Sequence, residues 1–357
     1  MLEVADDVHC PKEQVMPVLH DLQGVARHVL RTCLAGADRV ALVNFPDHGN
    51  PGDPAIWLGT RRLLAEIGVE VAHSTAWWDF DARALRRAVG DAPVVLNGGG
   101  NFGDLYRGQQ STRERVLREL TDNAIVQAPQ SILFRDRARA DEVAALIAAH
   151  GGVELVVRER LSLARARAQL GVEAHLSPDH ALALGPWERT APVTGDILWL
   201  ARRPGDPEYV EHGEPTGDDV RRIEWLEGID TAEAAWDLRG RALLALDRRA
   251  RAAWDSGARW PRVLQPAVSR TFEPLARRWV DRGRAMLSAS RVVVTDKLHG
   301  HIFCVLAGIE HVVLDNSYGK VSGTLEAWTG SLPGVHHAPD GPAALALARR
   351  LVAEAAS

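Results

Sequence analysis

The chain has 357 residues, a formal net charge of −5 and a pI near 6.3. That length exceeds one ordinary core and suits two domains with a cleft between them, while the mild acidity and the absence of a basic run exclude nucleic acid as a main partner. Cys10, Cys33 and Cys304 are far apart and lack the spacing of a zinc site or disulfide framework, which points to reducing cytosol. The N-terminus, with Glu3, Asp6 and Asp7, lacks the basic start of a signal peptide, and the best apolar stretch is broken by Glu310 and His311. A cytoplasmic protein with at most peripheral membrane contact is expected.

Residues 1–39 read as a helical flank. Beyond it, strands are predicted at 40–44, 69–74, 93–97, 124–127, 153–157 and 174–176, and helices at 54–67, 111–123, 136–150 and 161–170. Strand and helix in alternation imply a parallel sheet covered on both faces. The turn-rich stretch 185–195 closes a first Rossmann-like domain, 1–190. A second, 191–340, has predicted strands at 197–201, 223–226, 262–265, 292–295 and 311–315 and helices at 231–254, 272–286 and 301–307. Residues 203–219 read as an exposed loop, and 341–357 as a closing helix. The expected fold class is α/β, with two doubly wound domains facing a cleft.

Two glycine motifs follow strands of the first domain. Gly49, Asn50, Pro51, Gly52 and Asp53 stand at a strand-to-helix turn, where backbone N–H groups and the helix dipole favour an anion. The same residues equally form a tight turn, with Asp53 as N-cap and Pro54 opening the helix. Gly98, Gly99, Gly100, Asn101, Gly103 and Asp104 come after the next buried strand, and three successive glycines suggest close approach of a ligand. Both motifs fall at carboxyl ends of strands, where open α/β sheets bind ligands. Neither matches a dinucleotide fingerprint or a P-loop, which argues against a dehydrogenase and an NTPase.

The third motif is Thr295, Asp296, Lys297, Leu298, His299, Gly300 and His301. If the motif leaves its strand as an extended turn, Lys297 and His299 point to one side, where together they can hold a phosphate and donate a proton. The plain alternative is a surface lysine and a capping histidine. Asp315, Asn316, Tyr318, Gly319 and Lys320 follow the next strand and converge on the same edge. Arg202 and Arg203 follow the second domain's first strand and offer a cationic fork for carboxylate or phosphate. Gln127, Gln130, Ser131, Arg158, Glu159, Ser177 and Asp179 end other strands, each with a routine reading as turn, cap or ion pair.

In this order, residues 49–53, 98–104, 128–131, 177–179, 297–300 and 315–320 resemble the polysaccharide pyruvyltransferase family, most strongly its bacterial exopolysaccharide branch. The resemblance implies a GT-B-like fold with phosphoenolpyruvate as donor, a lipid-linked or nucleotide-linked sugar as acceptor, and no metal or organic cofactor. It implies His299 as proton donor and phosphate partner, with Lys297 and either Arg202 or Arg203 neutralising the donor. Lys297 stands where the family usually carries arginine. Asp53 or Asp104 would orient or deprotonate the acceptor; Asn50, Gly98, Gly99, Gly100, Asn101, Gln130, Asp179, Asn316 and Lys320 complete the expected substrate-binding set. The competing readings are a nucleotide-sugar glycosyltransferase and a non-catalytic anion-binding protein.

Overall fold

The computed structural model describes residues 12–213, 215–258 and 260–355; Cys10 and the acidic N-terminal residues lie outside them. The chain forms two compact units. The N unit comprises Leu22–Leu184 with Gly228–Arg282, and the C unit comprises, among the described residues, 12–21, 185–227 and 283–355.

Helix α1 (Lys12–Cys33) leads into β1 (Arg39–Phe45), α2 (Gly52–Glu66), β2 (Glu70–Ala76), α3 (Ala82–Val89), β3 (Val94–Leu96) and β4 (Gly99–Gly103). Then come α4 (Arg107–Glu119), β5 (Ile125–Leu133), α5 (Arg137–His150), β6 (Val153–Val157), α6 (Arg160–Arg165) and β7 (His175–Leu176). The strands form one parallel seven-stranded sheet in the order β2-β1-β3-β5-β6-β7, with β4 paired to β5. Its central strands are apolar on both faces, as burial under helices on each side demands: Ala41, Val43, Val94, Leu96, Ile125 and Leu155 share one core with Leu85, Val116 and Val143 from the helices.

Strand β4 was not expected. Residues Gly99 to Gly103, read as a ligand loop, instead pair with the far half of β5. The glycines have a packing reason there. A Cβ on Gly98 would come within 2.7 Å of the Pro129 carbonyl, and one on Gly103 would run into the Leu133 carbonyl. Close backbone approach, strand against strand, accounts for both.

Residues 228–282 form α7 (Ile229–Ala234), α8 (Leu238–Asp255), α9 (Trp260–Val263), α10 (Gln265–Ser269) and most of α11 (Phe272–Ser288). Although they follow strands of the C unit in sequence, they pack on the N unit. Phe272 stacks on Phe45 at 4.2 Å, with Trp57 edge-on to both. Gln265 Nε2 donates to the Ser74 carbonyl on edge strand β2 at 2.6 Å. The strand expected at 262–265 is helical: Pro261 and Pro266 fall in the first turns of α9 and α10, where a missing N–H costs nothing, whereas a central strand would need it. The helix expected over 231–254 is divided at Asp237, whose carboxylate accepts from Gly240 N at 2.8 Å and starts α8 afresh.

The C unit holds β8 (Gly195–Leu200), β9 (Val220–Ile223), β10 (Ser290–Thr295), α12 (Leu298–Ala307), β11 (Glu310–Val313), α13 (Lys320–Thr324), β12 (Val335–His337) and α14 (Gly341–Glu354). Its five strands are parallel in the order β12-β11-β10-β8-β9. Strand β9 lies three residues earlier than the expected 223–226, and β12 is additional. The closing helix α14 is capped by Asp340 and buries Ala344, Leu345 and Ala348 against Ile197, Trp199 and Val312. Two parallel sheets with flanking helices realise the α/β class expected. Among the described residues no helix is long and apolar enough to cross a membrane.

Asp79 ties the 228–282 segment to the sheet, accepting from Ala76 N at 2.6 Å and from Gln265 Nε2 at 3.3 Å. Burial, helped by the nearby Asp247 carboxylate, pushes its pKa up to about 8 against the pull of those hydrogen bonds. The folded protein therefore binds a proton that the unfolded chain releases near pH 3.8, and this group's contribution to stability falls as pH rises from about 4 to about 8. Asp79→Asn keeps an acceptor for Ala76 N and removes the titration. Thermal melts should show a smaller loss of Tm between about pH 5 and pH 8.5 in the variant than in the wild type.

Candidate active site

In each sheet the chain lays down one strand, builds outward on one side, and then jumps to the other. The switch points lie between β1 and β3 in the N unit and between β8 and β10 in the C unit. Carboxyl ends of strands flanking such a point form a crevice for ligands.

In the N unit, β1 delivers Asp47 and His48 to this point. His48 Nε2 lies 3.2 Å from Asp53 Oδ2 in the first turn of α2. The helix begins at Gly52, whose N–H donates to Asn50 Oδ1 at 3.0 Å, so Asn50 forms the turn and Asp53 is not the N-cap. Asp53 Oδ1 sits 3.4 Å from where a Cβ on Gly99 would be, which brings the two glycine motifs together. Gly49 is required by packing, since a Cβ there would strike Ile229 of α7. Burial works against a charged His48, yet the hydrogen bond and charge of Asp53, joined by Asp47, raise its pKa above the ordinary 6.5 while Arg251 opposes them. Asp47 accepts from Trp77 Nε1 and Arg251 Nη1, each at 2.9 Å.

Beside this pair lies a buried amide network. Arg113 of α4 donates to Gln127 Oε1 at 2.7 Å, Gln110 Oε1 at 2.6 Å and Asn101 Oδ1 at 3.0 Å, and lies 4.2 Å over the Phe102 ring. Gln130 Nε2 bonds Asn101 Oδ1 at 3.2 Å and the Asn97 carbonyl at 3.1 Å. These hydrogen-bond partners are neutral, so burial pulls the Arg113 pKa down to about 9 with only Glu114 resisting. Asp104 and Asp179 serve elsewhere. Asp104 Oδ2 accepts from Arg135 N and Asp136 N at 2.7 Å each, and Asp179 pairs with Arg158 at 2.7 Å.

In the C unit, Arg202 leaves β8 and Asp296 leaves β10. The Asp296 carboxylate accepts from Arg202 N at 3.1 Å and from Nη1 at 3.3 Å, and Arg202 Nη2 bonds Glu208. Glu208 also accepts from Lys320 Nζ, from Asn316 Nδ2 at 3.4 Å and from Tyr318 OH at 3.2 Å. Arg202, Asn316 and Lys320 thus meet on one carboxylate, which sequence reasoning missed because 203–219 reads as exposed loop. Arg203 points away, exposed, to Glu227 at 2.7 Å. Lys297 precedes the first turn of α12 and reaches Glu224 at 2.7 Å. His299 is half-buried in that turn. His301 is fully buried between His311 Nε2 and Thr329 Oγ1, both at 2.8 Å, and burial first, then His311, drives its pKa well down.

One group with metal-ligand chemistry occurs among the described residues: Cys33, Glu154 and His175, whose ligand atoms lie within 4.8 Å of one another. Glu154 and His175 are near the amino ends of β6 and β7, opposite to the motifs. None of the three is among the residues expected at the site.

With this geometry in place, comparison with known proteins is decisive. The polysaccharide pyruvyl transferase profile matches residues 50–318. The chain belongs to that family. Pyruvyl transferase 1 of Schizosaccharomyces pombe is 32% identical over 306 residues, spanning 82% of this chain and 70% of that protein. The putative pyruvyl transferase EpsO of Bacillus subtilis is 28% identical over 298 residues, spanning 82% of this chain and 86% of its own. Fungal and bacterial relatives both match, so the family is shown while the bacterial exopolysaccharide branch is not singled out. The crystal structure of a functionally uncharacterised Klebsiella pneumoniae protein superposes with a TM-score of 0.59 over 89% of this chain and 99% of that one, at 16% identity; this likeness concerns the fold.

The His48–Asp53 geometry has a direct readout. Asp53→Asn removes the charge that favours imidazolium, so the His48 pKa, followed by NMR titration, should drop toward or below the ordinary 6.5. An unchanged titration would show that Asp53 does not control this histidine.

Proposed function

We propose that this pyruvyl transferase moves pyruvate from phosphoenolpyruvate onto two hydroxyls of a sugar as a ketal, releasing phosphate. The observation that carries this reading is the C-unit switch point, where Arg202, Lys297, Lys320 and His299 gather at strand ends in a family member. Arg202 and Lys320 supply the cations for the donor's carboxylate and phosphate, and Lys297 adds a third. His299 donates a proton to the methylene carbon, which becomes a methyl group and leaves positive charge on the central carbon. The first acceptor hydroxyl adds there. The carbon–oxygen bond to phosphate then breaks, and the second hydroxyl closes the ketal. One hydroxyl proton replaces the one His299 gave, and the other leaves with phosphate as its monohydrogen form, so atoms and charge balance. In the N unit, the His48–Asp53 pair offers a base for a bound hydroxyl, with His48 accepting the proton and Asp53 as its partner. Asp104, engaged with backbone amides, is set aside for that role.

Two measurements test the reading. Phosphoenolpyruvate at saturating concentration should raise the Tm while pyruvate does little, because pyruvate lacks the phosphate. Stabilisation by a nucleoside diphosphate instead would favour glycosyl transfer. His299→Ala should lower turnover at least ~10²-fold in a folded protein. His301→Ala, by contrast, should destabilise the fold, since it strips partners from buried His311 and Thr329. Lys297→Ala should raise the KM for phosphoenolpyruvate, and Lys297→Arg should restore it. A fully active His299→Ala enzyme would overturn the mechanism.

A further inference from the structure

The 228–282 segment differs in charge from the rest of the chain. It carries eleven arginines against seven acids, a net of +4 inside a protein whose net is −5, and no lysine. Several of these arginines are engaged: Arg248 with Glu233, Arg251 with Asp47, Arg277 with Glu273 and Arg278 with Asp237. Arg239, Arg241, Arg249 and Arg270 are exposed and make no ion pair among the described residues. Arg239 and Arg270 line a cavity of about 950 Å3 in the N unit, together with Arg61, Arg277 and Arg278.

The same segment exposes apolar side chains that a water-facing surface would not select. Val263 is 75% exposed, Leu264 47% and Trp260 38%. Leu264 N bonds the Trp260 carbonyl at 2.9 Å, so the three residues lie on one face of a single helical turn. Leu238, 77% exposed, stands at the start of α8 beside Arg239. Solvent-facing positions of α8 then run Arg241, Ala245, Arg249 and Ala252. Arginine interleaved with exposed Trp, Val and Leu is the composition of a surface that rests at the boundary between headgroups and acyl chains. There the guanidinium groups meet phosphate while the apolar groups enter the bilayer edge.

We propose that the α8–α10 surface docks the protein on an anionic lipid bilayer, with Trp260, Val263 and Leu264 entering the interface and Arg241 and Arg249 holding lipid phosphates. This docking does not depend on the transfer reaction being as proposed. A basic face alone would equally suit a soluble polyanion. The exposed apolar turn favours a bilayer, because it gains nothing from a fully hydrated partner.

The test is co-sedimentation of the full chain with phosphatidylcholine vesicles and with vesicles in which about a third of the lipid is phosphatidylglycerol. Binding should be strong only to the anionic vesicles and should weaken as salt is raised. Arg241→Glu/Arg249→Glu and, separately, Trp260→Ser/Val263→Ser/Leu264→Ser should each lower the partition coefficient at least ~10-fold, with melting and transfer to a soluble acceptor unchanged. Equal binding to both vesicle types, no binding to either, or variants that bind as the wild type does would overturn the proposal. So would heparin binding that matches the affinity for vesicles and ignores the apolar substitutions.

Discussion

The bond between Arg202 and Asp296 is the interaction on which the C-unit site depends. It joins the ends of β8 and β10 across the switch point, using the backbone N–H of Arg202 as well as its guanidinium. Thr295 reinforces the junction, donating its hydroxyl to the Leu200 carbonyl at 2.7 Å and accepting from Lys297 N at 3.0 Å. A buried charge missing one partner is costly, on the order of 3–5 kcal/mol when a pair is broken. Asp296 therefore fixes where the Arg202 fork points, and that fork fixes Glu208. Glu208 in turn gathers Asn316, Tyr318 and Lys320 from the segment after β11. Arg202, Glu208, Asp296, Asn316, Tyr318 and Lys320 are one electrostatic assembly, and loss of Asp296 would loosen it.

Beside the His48–Asp53 pair, the N unit joins strand ends of its sheet largely through neutral side chains. Around its switch point the strand ends are joined by amide side chains: Gln127, Gln130 and Asn101 bridge β3, β4 and β5, and Arg113 is the buried cation among them. Amides can donate and accept in the same site, which suits recognition of hydroxyl-rich ligands better than a fixed charge does.

Much of this was legible because it rests on local rules. The parallel strands betrayed themselves as short β-branched runs, and the motif residues fell at strand ends. What was hidden depended on chain passing close to chain. Gly98 and Gly103 read as a ligand cradle, but their lack of a side chain answers to the carbonyls of Pro129 and Leu133 on a neighbouring strand. Val263 and Leu264 looked like strand until the two prolines beside them were weighed as helix starters. Nothing local announced that 228–282 would pack on the N unit; that follows from Phe272 finding Phe45 and from Gln265 covering the edge of β2. His48 and Arg113 went unnoticed for the same reason, since their significance lies in Asp53 and in three amides distant in sequence. Glu208 was concealed by its surroundings, a polar stretch in which one acid in several turns inward.

The charges of the C-unit cluster impose a condition on any anionic donor. Arg202, Lys297 and Lys320 are paired with Asp206, Asp296, Glu208 and Glu224, so the acids of the assembly outnumber its cations before a ligand arrives. Adding a carboxylate and a phosphate to such a site is unfavourable unless an acid yields its cation or a further positive charge appears. Asp296 is anchored to backbone and cannot yield without undoing the junction. Glu224 holds Lys297 at 2.7 Å, a contact that a ligand oxygen can replace, whereas Glu208 also holds Arg202, Asn316 and Tyr318.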